Sequence, residues 1–325
     1  MIITRTPFRI SFVGGGSDLK AFYQEHQGAV LSTTINKYMY ISSHDFFNPE
    51  TIRVKYSKTE EVQKVEDLSH PIFKEVLKSL DIKGVEISSI ADVPSGTGMG
   101  SSSAFTVGLL HNLYTLKRQF VTKEQLALEA CQTEIGKLKE PIGKQDQYAA
   151  AYGGFNIIRF NGDETVDVEP VFLPKDIHIE LQSNLLMFYT GSQRSASKIL
   201  ATQTENTKKS DKKAILKEMV SLVNPLRDEL YKGNVDAMGE LLHKNWLLKK
   251  QLANKISNPI IDSAYDLAMK NGALGGKLLG AGGGGFLLFY CPKKKQKGLI
   301  KALNHLREFE FKFEREGSKI IYIGY

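Results

Sequence analysis

The chain has 325 residues, 42% of them hydrophobic and 24% charged, the make-up of a globular protein long enough for two domains. No apolar run approaches a membrane span, and Met1-Ile2-Ile3-Thr4 reads as the start of a strand rather than a secretory leader. The net charge of +7 is spread out, and its densest run, Lys293-Lys294-Lys295-Gln296-Lys297, reads as a solvated strand-to-helix turn. No concentrated basic face offers itself to nucleic acid, whereas a diffuse positive excess suits small phosphorylated ligands. Cys131 and Cys291 are isolated, and the seven histidines show no metal spacing. The expectation is a cytoplasmic protein with free buried thiols and no histidine-bound zinc.

Strand patterns fall at 2–5, 9–13, 37–43, 52–56 and 85–90, with helices near 17–25, 71–80, 102–118 and 123–138. A strand follows at 155–160, then the hairpin turn Asn161-Gly162-Asp163, then a buried strand at 185–189. The second half turns helical over 195–209, 212–231, 235–255 and 258–271. Strand 286–290, helix 295–308 and strand 319–323 close the chain. The change of character places a domain boundary near 165–180, dividing the chain into 1–170 and 171–325.

One stretch carries most of the chemistry: Pro94-Ser95-Gly96-Thr97-Gly98-Met99-Gly100-Ser101-Ser102-Ser103-Ala104. Its glycines let the backbone approach a ligand and turn amides inward. Its serines are favoured helix-start residues, and the apolar positions Phe105, Leu109, Leu113 and Leu116 continue as a helix. A helix N-terminus with free N–H groups attracts anions, so the loop reads as a phosphate cradle. It is not a P-loop, whose Gly-x4-Gly-Lys-Ser/Thr pattern is absent; at Gly276-Lys277 the chain continues with Leu278 and has Asn271 for the first glycine. The dinucleotide pattern matches Gly280 to Gly285, but that run leads into the strand Phe286–Tyr290, not a helix.

Two further glycine stretches accompany the cradle: Pro7-Phe8-Arg9-Ile10-Ser11-Phe12-Val13-Gly14-Gly15-Gly16-Ser17-Asp18, and Gly275-Gly276-Lys277-Leu278-Leu279-Gly280-Ala281-Gly282-Gly283-Gly284-Gly285. In sequence and order the three resemble the signature motifs of the GHMP kinases. Within that superfamily, Met1 to Pro7, Val30 to Tyr38 and Glu140 to Tyr148 resemble the D-glycero-D-manno-heptose 7-phosphate kinases. The resemblance implies an α+β architecture: an N-terminal, ATP-binding domain like ribosomal protein S5 domain 2 and a C-terminal ferredoxin-like domain, with the active site between them. It implies transfer of the γ-phosphoryl group of ATP to the anomeric hydroxyl of a heptose 7-phosphate. Another sugar 1-kinase of the fucokinase or mannose type, a decarboxylase of the same fold, and a non-catalytic sugar and ATP sensor are the rival readings. ATP, Mg2+ and a sugar phosphate are the expected ligands; a homodimer is left open.

The resemblance also assigns roles. Asp146 aligns with the aspartate that accepts the substrate proton, and Arg9 with the basic residue that steadies the phosphoryl group. Ser102 and Glu134 align with the magnesium ligands, Glu134 lying twelve residues before Asp146. Pro94, Gly96, Gly98, Met99, Gly100, Ser101, Ser102 and Ser103 form the nucleotide cradle. Gly16, Ser17, Asp18, Gly282 and Gly283 fall on the substrate side. Galactokinases carry Glu-His where this chain has Gly15-Gly16, which leaves room and bare amides for a larger sugar. Arg194 is either a substrate-phosphate contact at a helix start or a plain first-turn residue; Lys144 is either a substrate-phosphate ligand or a solvated loop cation. Lys37 reads as structural.

Overall fold

The structure, a computed structural model, describes residues 1–191, 196–207 and 209–324. Strand Ile2–Val13 lies antiparallel to the long strand Gly28–Asp45, and the two together form the spine of a nine-stranded sheet. The separate strands expected at 2–5 and 9–13 are one. Pro7 has no N–H to give the ladder, and the pairing slips there, from Pro7 opposite Tyr38 to Phe8 opposite Ile35. The bypassed Asn36 turns instead to Lys312, exchanging hydrogen bonds of 2.9 and 2.6 Å with it.

Strand Gly28–Asp45 serves different partners along its length: Phe155–Phe160 on its first half and Val85–Ala91 on its second. Strands Ile52–Lys55 and Thr59–Val62 extend the sheet on one side. On the other, Lys319–Ile323 pairs with Ile2–Val13, and Phe313–Glu314 pairs with Gly28–Asp45. The last residues of the chain thus return to the sheet formed by its first half. Helix Ser101–Leu116 lies across the two spine strands, and helix Gln145–Tyr152 packs beside it.

A second sheet runs Arg307–Glu308, Leu185–Tyr189, Phe286–Tyr290, Gly275–Leu278, antiparallel throughout. Helix Ala237–Lys250 packs on Gly275–Leu278. Its inner stripe is Leu242, Asn245, Trp246 and Lys249, all buried, at the three-and-four spacing of a helix face. The helix expected over 212–231 is two, Ser210–Ser221 and Val223–Tyr231. Pro225 cannot bond back to Ser221, and the break falls there. Two antiparallel-rich sheets with helices packed on them make this an α+β fold.

Candidate active site

The three glycine-rich stretches meet in one cleft. Arg9 projects from strand Ile2–Val13, and its Nε and Nη2 both reach Asp146 Oδ1, at 2.7 and 2.6 Å. Its Nη1 donates to the Gly98 carbonyl at 2.8 Å, and its backbone N–H to Met99. One buried guanidinium therefore ties the first motif, the cradle loop and the start of helix Gln145–Tyr152 together. A fork of this kind is directional as well as strong.

The helix expected over 17–25 shrinks to Lys20–Tyr23, because the residues before it hold a loop. Ser17 Oγ donates to the carbonyls of Gly14 and Ala29 at 2.8 and 3.1 Å. Asp18 Oδ1 accepts from the Gly16 N–H, and Oδ2 from the Gln145 N–H at 3.3 Å. Burial, and then the neighbouring Asp146 charge, push the Asp18 carboxyl above its ordinary range.

The cradle opens the helix as the sequence predicts. Gly100 caps Ser101–Leu116 in the left-handed conformation, φ 75°, and Ser101, Ser102 and Ser103 line the cleft at the positive end of the helix dipole. The cradle and the third motif interlock by backbone. Gly98 (φ 82°) is so placed that a Cβ would lie 2.5 Å from the Leu279 carbonyl oxygen, and a Cβ on Gly280 (φ 71°) would run into the Gly98 Cα. Neither loop admits a side chain at that crossing.

Glu134 stands behind the serines. The expected helix 123–138 is α-helical only to Cys131 and then widens into a π-turn over Gln132–Lys137, a distortion often found at functional sites. The turn carries Glu134 inward, fully buried. Its two carboxylate oxygens accept from Ser102 Oγ at 2.6 Å and Gln147 Nε2 at 2.7 Å. Burial pushes its carboxyl up to about 7, against the hydrogen bonds from Ser102 and Gln147. No cluster of three or more His, Cys, Asp or Glu occurs among the described residues.

Two buried lysines complete the lining, and the sequence reading did not select either as a site residue. Lys277 Nζ donates to the carbonyls of Ser11 and Phe12 at 2.6 and 2.9 Å. Lys249 Nζ donates to the Gly280 carbonyl. Burial, then repulsion from Lys249 and Arg9, holds the Lys277 ammonium well below its ordinary range. Burial, then Arg9, brings Lys249 down to about 8 from 10.5, with Asp18 opposing. A signal for Lys249 was in the sequence: it falls on the apolar stripe of its helix, after Leu242 and Trp246, where a lysine is out of place.

A pH effect follows from this. The folded protein gives up the Lys249 proton more readily than the unfolded chain, so the cost of burying that charge is complete below pH 8 and vanishes above 10.5. Lys249→Met should raise the thermal midpoint of the ligand-free protein at pH 7, by an effect on the order of 2 kcal/mol once the lost bond to Gly280 is deducted. The gap should narrow as pH rises through 8 to 10, which scanning fluorimetry at a series of pH values would measure.

The remaining expected site residues divide between the cleft and its surroundings. Gly16, Asp18, Gly96 and Gly98 line the cleft, but Pro94 and Met99 do not; Met99 is packed in the core. Ser17 is spent on its loop. Of the third motif, Gly280 and Ala281 face the cleft rather than Gly282 and Gly283; Gly283 N–H bonds to Ile256, and Gly282 lies against the same backbone. Lys144 turns away from the cleft: its Nζ bonds Glu164 Oε2 at 2.6 Å and the Glu164 carbonyl at 3.0 Å, over the ring of Tyr23. Burial alone would raise the Glu164 carboxyl, yet bonds from Lys144, Lys20 and Tyr23 hold it at about 2. That pairing occupies the cation that was a candidate for substrate phosphate. Lys37 sits over the Phe309 ring at 5.0 Å, in a different groove. Arg194 lies outside the described residues. The room expected at Gly15-Gly16 is partly filled, since a Cβ on Gly16 would come within 2.5 Å of the Gln203 amide nitrogen.

A glycine-rich helix start set against an arginine–aspartate pair suits phosphoryl transfer to a small molecule, and the chain belongs to the GHMP kinase family. Residues 67–154 match the GHMP kinases N terminal domain and residues 226–307 the GHMP kinases C terminal domain. It is a sugar kinase of that family, ATP-dependent as GHMP kinases are. The chain is 30% identical to a D-glycero-alpha-D-manno-heptose 7-phosphate kinase of Campylobacter jejuni, over 98% of each chain. It is 27% identical to a galactokinase of Pyrococcus furiosus, over 96% of this chain and 94% of that one. In fold it is similar to a D-glycero-D-manno-heptose 1-phosphate kinase of Bacteroides thetaiotaomicron, with a TM-score of 0.81 at 24% identity over the whole of both chains. No helix among the described residues is long and apolar enough to cross a membrane.

Proposed function

We propose that the chain transfers the γ-phosphoryl group of ATP to the anomeric hydroxyl of D-glycero-D-manno-heptose 7-phosphate, giving the 1,7-bisphosphate. The observation that supports it most is the Arg9–Asp146 pair, held at 2.6 Å beside the start of helix Ser101–Leu116. The Campylobacter jejuni relative, alike over nearly its whole length, supports the choice of sugar.

In this reading the helix amides and the serines hold the nucleotide phosphates. Asp146 accepts the proton of the anomeric hydroxyl as its oxygen attacks the γ-phosphorus. The bond from that phosphorus to the β–γ bridging oxygen breaks, and ADP leaves with the electron pair. Arg9 holds Asp146 in place and faces the charge that develops on the transferred group. Asp18, beside Asp146, takes a sugar hydroxyl. The division into domains 1–170 and 171–325 puts the cleft between the two, with strand Lys319–Ile323 lent back to the first.

The residues fit a magnesium ion. A hydroxyl and a carboxylate stand in contact at the helix start, both hard oxygen donors, and phosphate oxygens and water would complete the set. The raised Glu134 carboxyl is that of a group lacking a positive neighbour. Such an ion would neutralise charge on the β and γ phosphates. Glu134→Gln should raise the magnesium concentration for half-maximal rate about tenfold or more while the sugar KM changes little; an unchanged magnesium titration removes Glu134 from the metal site.

The deciding experiment is a panel of sugars and sugar phosphates with ATP and magnesium, scored by ADP release. Heptose 7-phosphate should exceed free fucose, galactose, mannose and heptose by about 100-fold in kcat/KM, the worth of two charge-assisted contacts. A free hexose as the better substrate rejects the heptose phosphate and leaves the sugar kinase.

A further inference from the structure

The cleft holds more positive charge than the nucleotide reading uses. Arg9, Lys249 and Lys277 all line it, and Arg9 is engaged by Asp146. No described carboxylate lies within ion-pair distance of either lysine, although buried charges are ordinarily paired. The two differ in what they have left to give. An ammonium has three protons. Lys277 gives two of its own to the carbonyls of Ser11 and Phe12. Lys249 gives one, to Gly280, and among the described residues keeps two.

A second, independent observation falls at the same place. Ser11 is 6% exposed and lines the cleft, and its Oγ has no hydrogen-bond partner among the described residues. A hydroxyl so buried costs free energy unless something completes it. Ser11 lies two residues past Arg9 on the same strand, hence on the same face. Gly15 lies opposite: a Cβ there would sit 3.5 Å from the Ser11 hydroxyl, so glycine keeps that approach open. Leu200 and Gln203, from helix Ala196–Thr207, close the wall beyond Gly16. Asp18 stands beside this wall, taking the Gly16 N–H on its Oδ1.

We propose that Lys249 and the Ser11 hydroxyl form a second anion subsite, which takes the phosphomonoester already carried by the acceptor sugar. The proposal rests on the kinase reading above and supplies the acceptor-side cation that Lys144, committed to Glu164, does not. Lys249 donates two hydrogen bonds to the phosphate oxygens, Ser11 donates a third, and the dianion neutralises the paired lysines. The subsite selects a phosphorylated acceptor over a free sugar of the same shape.

The test uses the whole protein saturated with magnesium and a non-hydrolysable ATP analogue, so that the nucleotide phosphate positions are filled. Inorganic phosphate is then titrated by calorimetry into the wild type, Lys249→Met, Lys249→Arg and Ser11→Ala. The wild type should bind phosphate, Lys249→Met should weaken it about tenfold or more, and Ser11→Ala less. Lys249→Arg should keep most of the affinity, and the analogue should bind all four proteins within about threefold, which also reports that each is folded. In parallel, the preference for phosphorylated over free heptose should collapse in Lys249→Met by about 30-fold. Phosphate binding that is absent in the wild type, or unchanged in Lys249→Met, overturns the subsite. So does a loss of analogue affinity equal to the loss of phosphate affinity, which would put the ammonium on the nucleotide. If the wild type binds phosphate through Lys249 yet turns over a free hexose better, the subsite stands and the heptose phosphate falls.

Discussion

Asp146→Asn is expected to reduce kcat by ~10²–10⁴ while nucleotide affinity stays within about threefold. Asparagine has nearly the same shape, and its amide oxygen can still accept from Arg9 where Oδ1 does now, so the fork over Gly98 should keep its place. It can neither take the proton of the attacking hydroxyl nor balance the guanidinium, which is 4% exposed. Leaving a partner charge buried costs stability. Asp146 is itself partly open to solvent, with its side chain 23% exposed, so the cost should stay near ~1–2 kcal/mol. Single-turnover phosphoryl transfer and nucleotide titration on the same preparation separate the two effects. A kcat within about threefold of wild type would exclude Asp146 as the base.

Gly280→Ala should lower kcat/KM for ATP by about 100-fold and destabilise the protein by ~2–4 kcal/mol. Glycine is required there twice over. The φ of 71° strains any L side chain, and the new methyl would collide with the Cα of Gly98. Backbone cannot step aside as a side-chain tip can, so the two loops must part. Parting them moves the Gly98 carbonyl that holds Arg9 Nη1 and the Gly280 carbonyl that holds Lys249. Nucleotide and acceptor sides should therefore suffer together. Gly298→Ala is the control: it lies in helix Lys293–Ala302 with nothing within 4 Å of the added carbon. That change should be neutral, or stabilising by ~0.5–1 kcal/mol, as alanine is the better helix former. Denaturant unfolding of both variants, with ATP saturation curves, checks the contrast. A Gly280→Ala protein with wild-type kinetics would mean that the interlock plays no part in catalysis.

Much of the site could be read before folding because its signals are local. Glycines dense enough to turn amides inward, followed by serines and a helical pattern, specify a cradle from within a dozen residues, and the structure opens helix Ser101–Leu116 at that point. Strands such as Phe155–Phe160, Leu185–Tyr189 and Phe286–Tyr290 were legible for the same reason, being short apolar runs between turn residues. Composition sufficed for the class of molecule, and the order of three motifs sufficed for the family.

What remained was decided by contacts between distant residues. That Pro7 sits inside a continuous strand depends on Asn36 and Lys37 being bypassed across the sheet. That residues 319–323 return to the first sheet depends on the unpaired edge of Ile2–Val13, and no periodicity encodes which edge a strand will find. Lys144 looked available in its loop, and the fold gave it Glu164. Glu134 meets Ser102 from the single π-turn that follows its helix and buries it. Lys249, the one of its helix's three lysines that falls on the inner stripe, gains its meaning from the carbonyl of Gly280 and the orphaned hydroxyl of Ser11, which lie 31 residues after it and at the far end of the chain. Local sequence sets the backbone's preferences residue by residue. Which charges are buried, and whether each is left with a partner, is settled only when remote segments exclude water together.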